Sequence, residues 1–189
     1  AERILRAKER WIHPAEPESA GRAEDFAAAA RMAREAVTAV RGKACRASEK
    51  TFFCGCADYR MTQASNADPE AKAFPEYMGA RFGAKFAVCS KDPDEKEIAE
   101  LVKCADGAEN IIFSSCNAHL FRGQLALAAA LAEKGVPMTV AALRNPYDLP
   151  LMPENAALLA AFDYSRDSLA ALADVFSGGD CCGVMPAAL

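Results

Sequence analysis

Residues 110–143, NIIFSSCNAHLFRGQLALAAALAEKGVPMTVAAL, decide the fold. They hold an apolar run at 110–115, an alanine-rich amphipathic stretch at 119–135 and a second apolar run at 137–143. Neither run alternates between apolar and polar residues, which is typical of strands that are buried on both faces of a parallel sheet. The middle stretch predicts a helix that ends at Gly135, and its alanines let that helix lie close to the sheet. The segment therefore predicts a strand–helix–strand unit.

The same alternation extends along most of the chain. Asp92 is expected to cap a helix, with Pro93 at its first position and Glu95 completing a capping box. Further strands are predicted at 51–56, 85–90 and 157–164, and further helices at 1–12, 22–40, 74–83 and after Ser165, with linkers at 13–21 and 57–70. The pattern predicts an α/β three-layer sandwich, with a mostly parallel sheet of five or six strands and helices on both faces.

Composition and charge exclude several classes of protein. The chain has 189 residues, a net charge of −4 and 52% apolar residues, so it can form a substantial core. It contains no apolar run of about 18 residues, which predicts that it does not span a membrane. It opens without the pattern of a signal peptide. The negative charge and the lack of a basic run argue against a nucleic-acid partner.

The eight cysteines are interpreted as reduced thiols. Cys89, Cys104 and Cys116 stand where core residues would, and buried cysteine packs as a small hydrophobe. Reduced thiols favour a reducing compartment, so we expect the protein in the cytoplasm. The Cys54-Gly55-Cys56 and Cys181-Cys182 spacings do not suit zinc.

The common catalytic and nucleotide-binding motifs are absent from the sequence. It contains no GxGxxG, no GxxxxGK[ST] and no GxSxG, so neither a nucleotide cofactor nor a metal is predicted. A serine site through His119 and a thiol nucleophile at Cys116 remain open alternatives. Cys116 would lie at the carboxyl end of a strand, where open α/β sheets place their sites.

Two loops that follow predicted strands are rich in polar and aromatic residues. Because the carboxyl ends of parallel strands meet at one edge of a sheet, both loops are expected to form one binding or docking surface. In the alternative interpretation, Asn117 caps a helix, Arg144 pairs with Asp148, and Tyr147 packs under its loop. The candidate binding or interdomain residues are Asn117, His119, Arg144, Asn145, Tyr147 and Asp148.

The same loops carry a family resemblance. The segments NAHLFRGQ (117–124) and ALRNPYDL (142–149) resemble the C-terminal domain of glycoside hydrolase family 3, in its bacterial β-N-acetylglucosaminidase (β-hexosaminidase) branch. Three further segments are similar to that family: RILRAKE (3–9), ARMAREAVTAVR (30–41) and AFDYSRDSLAALADVFSGG (161–179). The resemblance covers nearly the whole chain and is weakest from 43 to 90. There the family usually has a Gly-Pro after its first strand, whereas this sequence has Cys54-Gly55-Cys56-Ala57.

The resemblance implies a domain without catalytic residues of its own. In this family the nucleophile, and in this branch the acid/base, belong to a preceding (β/α)8 barrel. Residues 1–21 are then the connection from a missing N-terminal barrel, and 22–189 are the C-terminal α/β sandwich domain. Its expected partners are that barrel and the glycan substrate that the two domains share. The alternatives are an independent, flavodoxin-like module that binds a small ligand, and a thiol-dependent enzyme that uses Cys116.

Overall fold

The computed structural model describes residues 1–12, 22–57 and 72–186. Six strands form one sheet in the order β1-β6-β5-β4-β2-β3, in which neighbours run parallel except for the antiparallel pair β1–β6. This arrangement confirms the predicted, mostly parallel sheet. The strands are β1 Thr38–Arg41, β2 Thr51–Cys56, β3 Lys85–Cys89, β4 Asn110–Ser115, β5 Met138–Ala142 and β6 Ala157–Ala160.

Helices cover both faces of the sheet, as the three-layer prediction requires. Leu101 of α4 and Leu127 of α5 belong to one buried cluster, whereas Phe74 of α3 and Leu172 of α6 belong to the other. Among the described residues, no helix is both long and apolar enough to cross a membrane. The helices are α1 Glu2–Trp11, α2 Ala23–Ala36, α3 Phe74–Phe82, α4 Glu95–Cys104, α5 Arg122–Ala132 and α6 Arg166–Phe176, with a 3₁₀ helix at Pro146–Leu151.

The predicted helix at 22–40 is wrong in its last turn. Helix α2 ends at Ala36, and the next residues form β1, which pairs with β6 through an irregular register. Val37 and Val40 have the spacing of a helix stripe, but Val37 is fully buried beside the sheet and Val40 lies within β1. Phe26 has the spacing of the same helix stripe, but it is exposed. The packing of 37–41 against β6 therefore overrides the local helical pattern.

The predicted cap of α4 is displaced by two residues. Asp94, not Asp92, accepts the Glu97 N–H at 2.8 Å, and the helix begins at Glu95. Asp92 instead accepts the N–H of Gly123 at 2.7 Å, so it joins this loop to the start of α5. Pro93 accordingly precedes the helix.

The end of strand β6 also differs from the prediction. The strand ends at Ala160 instead of residue 164, and Phe162 takes a positive φ of 62°. Ser165 caps α6 as predicted, accepting the Ser168 N–H at 3.4 Å. The inner face of α6 includes four buried residues: Leu169, Leu172, Ala173 and Phe176. The linker at 13–21 and nearly all of the loop at 57–70 lie outside the described residues.

Candidate functional site

The six predicted site residues follow β4 and β5 at the carboxyl edge of the sheet. Open α/β sheets bind ligands at this edge, because strand ends and loops form a crevice there. The sheet continues a little beyond the strands, since Leu143 N–H donates to the Ser115 carbonyl at 2.9 Å. The two loops thus leave the sheet side by side.

A buried glutamine fixes the loop that follows β4. The Gln124 Oε1 accepts the Cys116 N–H at 3.0 Å, and its Nε2 donates to the carbonyls of Cys116 at 3.1 Å and Lys91 at 2.9 Å. Sequence reasoning did not assign Gln124 this role. A buried amide within an otherwise apolar helix face is the signal that could have identified it.

The same loop delays the start of α5. The helix was predicted from His119 but begins at Arg122, after Asn117 takes a positive φ of 55°. The Asn117 carbonyl accepts the N–H groups of Leu120 and Phe121 in a tight turn. The interpretation of Asn117 as the cap of this helix is therefore wrong, because the cap position is Phe121.

An amide–amide hydrogen bond joins the two loops. Asn145 Nδ2 donates to Asn117 Oδ1 over 2.7 Å, and Asn117 is almost completely buried. Asparagine tolerates positive φ better than most residues, so the turn at Asn117 presents its side chain to the second loop at little conformational cost. The expected juxtaposition of Asn117 and Asn145 is thus present.

His119 and Asp148 form the second link between the loops. One oxygen of Asp148, Oδ1, accepts the His119 backbone N–H at 3.0 Å and lies 2.7 Å from its Nδ1. The Asp148 side chain is completely buried. A carboxylate acceptor favours the tautomer in which Nδ1 carries the proton, which leaves Nε2 as an acceptor in the neutral ring. The interpretation in which Asp148 pairs with Arg144 is therefore wrong.

Tyr147 lies beside this pair and faces outward. Its ring is edge-on to the His119 ring, with 6.2 Å between the centroids, and the residue is 64% exposed. The expectation that Tyr147 packs under its loop is wrong. The 3₁₀ helix that carries it instead buries the neighbouring Asp148 and Leu149.

Arg144 is separate from these contacts. Its guanidinium lies over the Tyr164 ring at 5.3 Å, a cation–π geometry. Its Nη1 is buried and has no hydrogen-bond partner among the described residues. The structure thus links five of the six predicted residues and places Arg144 against the loop before α6.

The cysteines near the site are thiols. Cys116 is 2% exposed, and the hydroxyls of Ser114 and Ser115 are buried without a hydrogen-bond partner in the described part of the chain. A hydrogen bond with Cys54 and burial both raise the pKa of Cys89 far above its ordinary value, so this thiol stays protonated. An activated thiolate is therefore not expected at Cys89.

Comparisons with known proteins give structural matches only. No protein-family model and no curated protein matches the chain. A family 3 β-N-acetylglucosaminidase from Paenibacillus sp. str. FPU-7 is similar over 98% of this chain, with a TM-score of 0.80 and 22% identity. A fungal multi-domain family 3 β-N-acetylglucosaminidase matches 94% of it (TM-score 0.70, 17% identity), and a β-glucosidase from Listeria innocua matches 93% (TM-score 0.70, 12% identity).

The share of those enzymes that is matched is small. The chain covers 38% of the Paenibacillus enzyme, 21% of the fungal enzyme and 30% of the Listeria enzyme. This partial coverage is consistent with the C-terminal domain that the sequence resemblance implies. The chain thus has the fold of a domain of glycoside hydrolase family 3 enzymes.

Proposed function

We propose that this chain is the non-catalytic C-terminal domain of a larger β-N-acetylglucosaminidase-like glycoside hydrolase. The observation that carries the proposal is the contrast in coverage with the Paenibacillus enzyme, 98% of this chain against 38% of that one. Residues 1–21 then connect the domain to a preceding (β/α)8 barrel, and 22–189 form the domain itself.

Exposed apolar side chains on α1 support a docked arrangement. Ile4, Leu5 and Trp11 are each more than half exposed, although they share one face of this helix. Contiguous apolar surface is characteristic of interaction sites. In the proposed enzyme this face of α1 packs against the barrel.

The carboxyl edge of the sheet is proposed to help frame the glycan cleft. It presents polar groups and an exposed aromatic ring on two loops that are fixed to each other through Asn117–Asn145 and His119–Asp148. Glycoside hydrolysis with retention requires two carboxyl-type groups about 5–5.5 Å apart across the scissile bond. We assign neither role to this chain, because the family resemblance places both groups on the barrel. Asp148, which joins the two loops, is buried and its Oδ1 is already bonded to His119.

The first prediction follows directly: the 189-residue chain alone hydrolyses no glycoside. The purified chain is assayed with chromogenic β-N-acetylglucosaminide and β-glucoside, and turnover should equal that of buffer. Turnover that is abolished by a substitution within this chain would contradict the proposal.

The upstream gene sequence separates this proposal from an independent, flavodoxin-like module. A barrel-coding segment immediately upstream supports the hydrolase domain, whereas a start codon adjacent to Ala1 supports the independent module. The thiol-dependent alternative gains no support from the geometry, because Cys116 is buried.

A further inference from the structure

The imidazole of His119 is held in one orientation, and its Nε2 has no hydrogen-bond partner among the residues that the structure describes. His119 makes two hydrogen bonds to Asp148, one from its backbone N–H and one at its ring Nδ1. Both involve Asp148 Oδ1, at 3.0 Å and 2.7 Å. The His119 side chain is 26% exposed, whereas that of Asp148 is fully buried. The buried carboxylate therefore fixes the ring and leaves Nε2 available to accept a hydrogen bond from a hydroxyl.

An apolar surface stands next to that acceptor. The Tyr147 ring is largely exposed and lies edge-on to His119 at an interplanar angle of 79°. A large, exposed aromatic ring held on a rigid segment gives contact area at low entropic cost on binding. Tyr147 and His119 thus place one apolar face and one acceptor side by side.

The backbone beneath these two side chains is already fixed. Gln124 clamps the first loop at Cys116, and the Asn117–Asn145 bond joins it to the second. A ligand that binds here has little loop order to impose, which favours binding. The two loops are therefore fixed relative to each other before any ligand binds.

The charges select the class of ligand. Among the described residues, the charged partner of His119 is Asp148, whose carboxylate is buried and turned to His119 itself. The nearest cation on the second loop, Arg144, lies over Tyr164 instead. A neutral ligand that carries hydroxyls on one side and an apolar face on the other matches these groups, and a pyranose ring has this form.

We propose that His119 and Tyr147 form a saccharide subsite for one neutral pyranose ring, with Tyr147 against its apolar face and His119 Nε2 accepting from a hydroxyl. The choice of a sugar rests on the proposed function, whereas the two contacts rest on the geometry.

The probe is methyl β-N-acetylglucosaminide, titrated into the labelled chain while the histidine ring C–H signals are followed by NMR. The chain has two histidines, His13 and His119, and His119→Gln identifies the His119 signals. The expected result is a saturable shift at His119, and no shift with glycerol, which has hydroxyls but no ring.

Variants at Tyr147 test the aromatic contact. Tyr147→Ala should weaken binding by about tenfold or more, which corresponds to about 1.4 kcal/mol, whereas Tyr147→Phe keeps the ring and should stay within about twofold. Trp11→Ala removes an exposed aromatic ring on α1 and should change nothing. Native-like circular dichroism of each variant ensures that a loss is local.

Two results would overturn the subsite. One is the absence of a saturable His119 shift, and the other is an equal affinity in Tyr147→Ala and the unmodified chain. Either result leaves the proposed function to its own tests, since the upstream barrel and the inactivity of this chain are measured separately. Conversely, saccharide binding by a chain without an upstream barrel would retain the subsite and remove the hydrolase-domain proposal.

Discussion

Asp148 is the residue on which the geometry of the two loops most depends. It satisfies the backbone N–H of His119 and orients its ring through a single buried oxygen. From the sequence, Asp148 and Arg144 were expected to act in the same way, either both in docking or as a local pair. The structure separates them, because Asp148 lies inside the domain and Arg144 rests on Tyr164.

Asp148→Ala should therefore destabilise the isolated chain more than Arg144→Ala. The first substitution leaves two partly buried donors of His119 without their acceptor, which costs about 1–3 kcal/mol. The second removes a cation–π contact, worth about 0.5–1 kcal/mol. Urea unfolding of both variants measures the difference. Equal losses of unfolding free energy would show that Arg144 contributes as much as Asp148 to the stability of the isolated chain.

Gly123 is a second position at which a single added carbon atom is expected to lower stability. A Cβ added there would lie 2.3 Å from the Pro93 carbonyl and 2.7 Å from Asp92 Oδ1, the oxygen that accepts the Gly123 N–H. Gly123→Ala should lower the free energy of unfolding by about 1–3 kcal/mol, as overpacking does. Arg122→Ala, at the exposed neighbouring position, is the matched control and should stay within about 0.5 kcal/mol. Similar free energies of unfolding of the two variants would mean that the loop containing Asp92 and Pro93 moves to accommodate the added methyl group.

At the scale of elements, the start of α6 couples stability to pH. Burial raises the pKa of Asp163, but hydrogen bonds from Ser165, Tyr164 and Ser168 outweigh it and hold the pKa below its usual value. A carboxylate with a depressed pKa in the folded state stabilises the protein above its unfolded pKa, about 3.9, and this contribution is lost as the pH falls through the folded value.

Asp163→Asn should accordingly flatten the acid limb of the stability curve. The variant should be less stable than the unmodified chain at pH 6, and the gap should narrow toward pH 3. Urea unfolding at the two pH values measures this change. A gap that is the same at both values would assign the loss to packing instead of ionisation.

The sequence predicted the strands that are determined by the local pattern of apolar and polar residues. The runs at 51–56, 85–90, 110–115 and 137–143 are strands because continuous apolar runs between helices have few other solutions. β1 could not be predicted, because its partner β6 lies near the other end of the chain and the helical pattern around Val37 conceals it. Tertiary pairing decides such segments.

The candidate site also contains features that the sequence predicted and features that it could not predict. Strand order and loop chemistry predicted that residues after β4 and β5 would meet, and Asn117 and Asn145 do. The partner of Asp148 was not predictable, because His119 and Arg144 are both plausible partners from the sequence and only the turn at Asn117 selects His119. Gln124 was missed for a similar reason, since its role requires the Cys116 backbone beside it.

At the scale of the whole molecule, the reactivity of the thiols tests both their burial and the predicted reducing compartment. Titration in denaturant should recover all eight thiols from protein purified without oxidant. The expectation that Cys104 stands at a core position is wrong, because this residue is exposed. In the native state Cys104 and Cys182 should therefore react first, whereas Cys54 and Cys89 should react only as fast as the core opens. Recovery of four or fewer thiols in denaturant would contradict the reducing compartment.

The pairing of β1 with β6 also sets an order of events during synthesis. Of the six strands of this sheet, β1 is the first to be synthesised, yet its partner β6 is the last. Gly183, later still, donates its N–H to the Val37 carbonyl beside β1. Contacts between such distant segments form slowly, because a long loop must close first. Within this domain, the first strand of the sheet therefore stays unpaired until the last strand has been made.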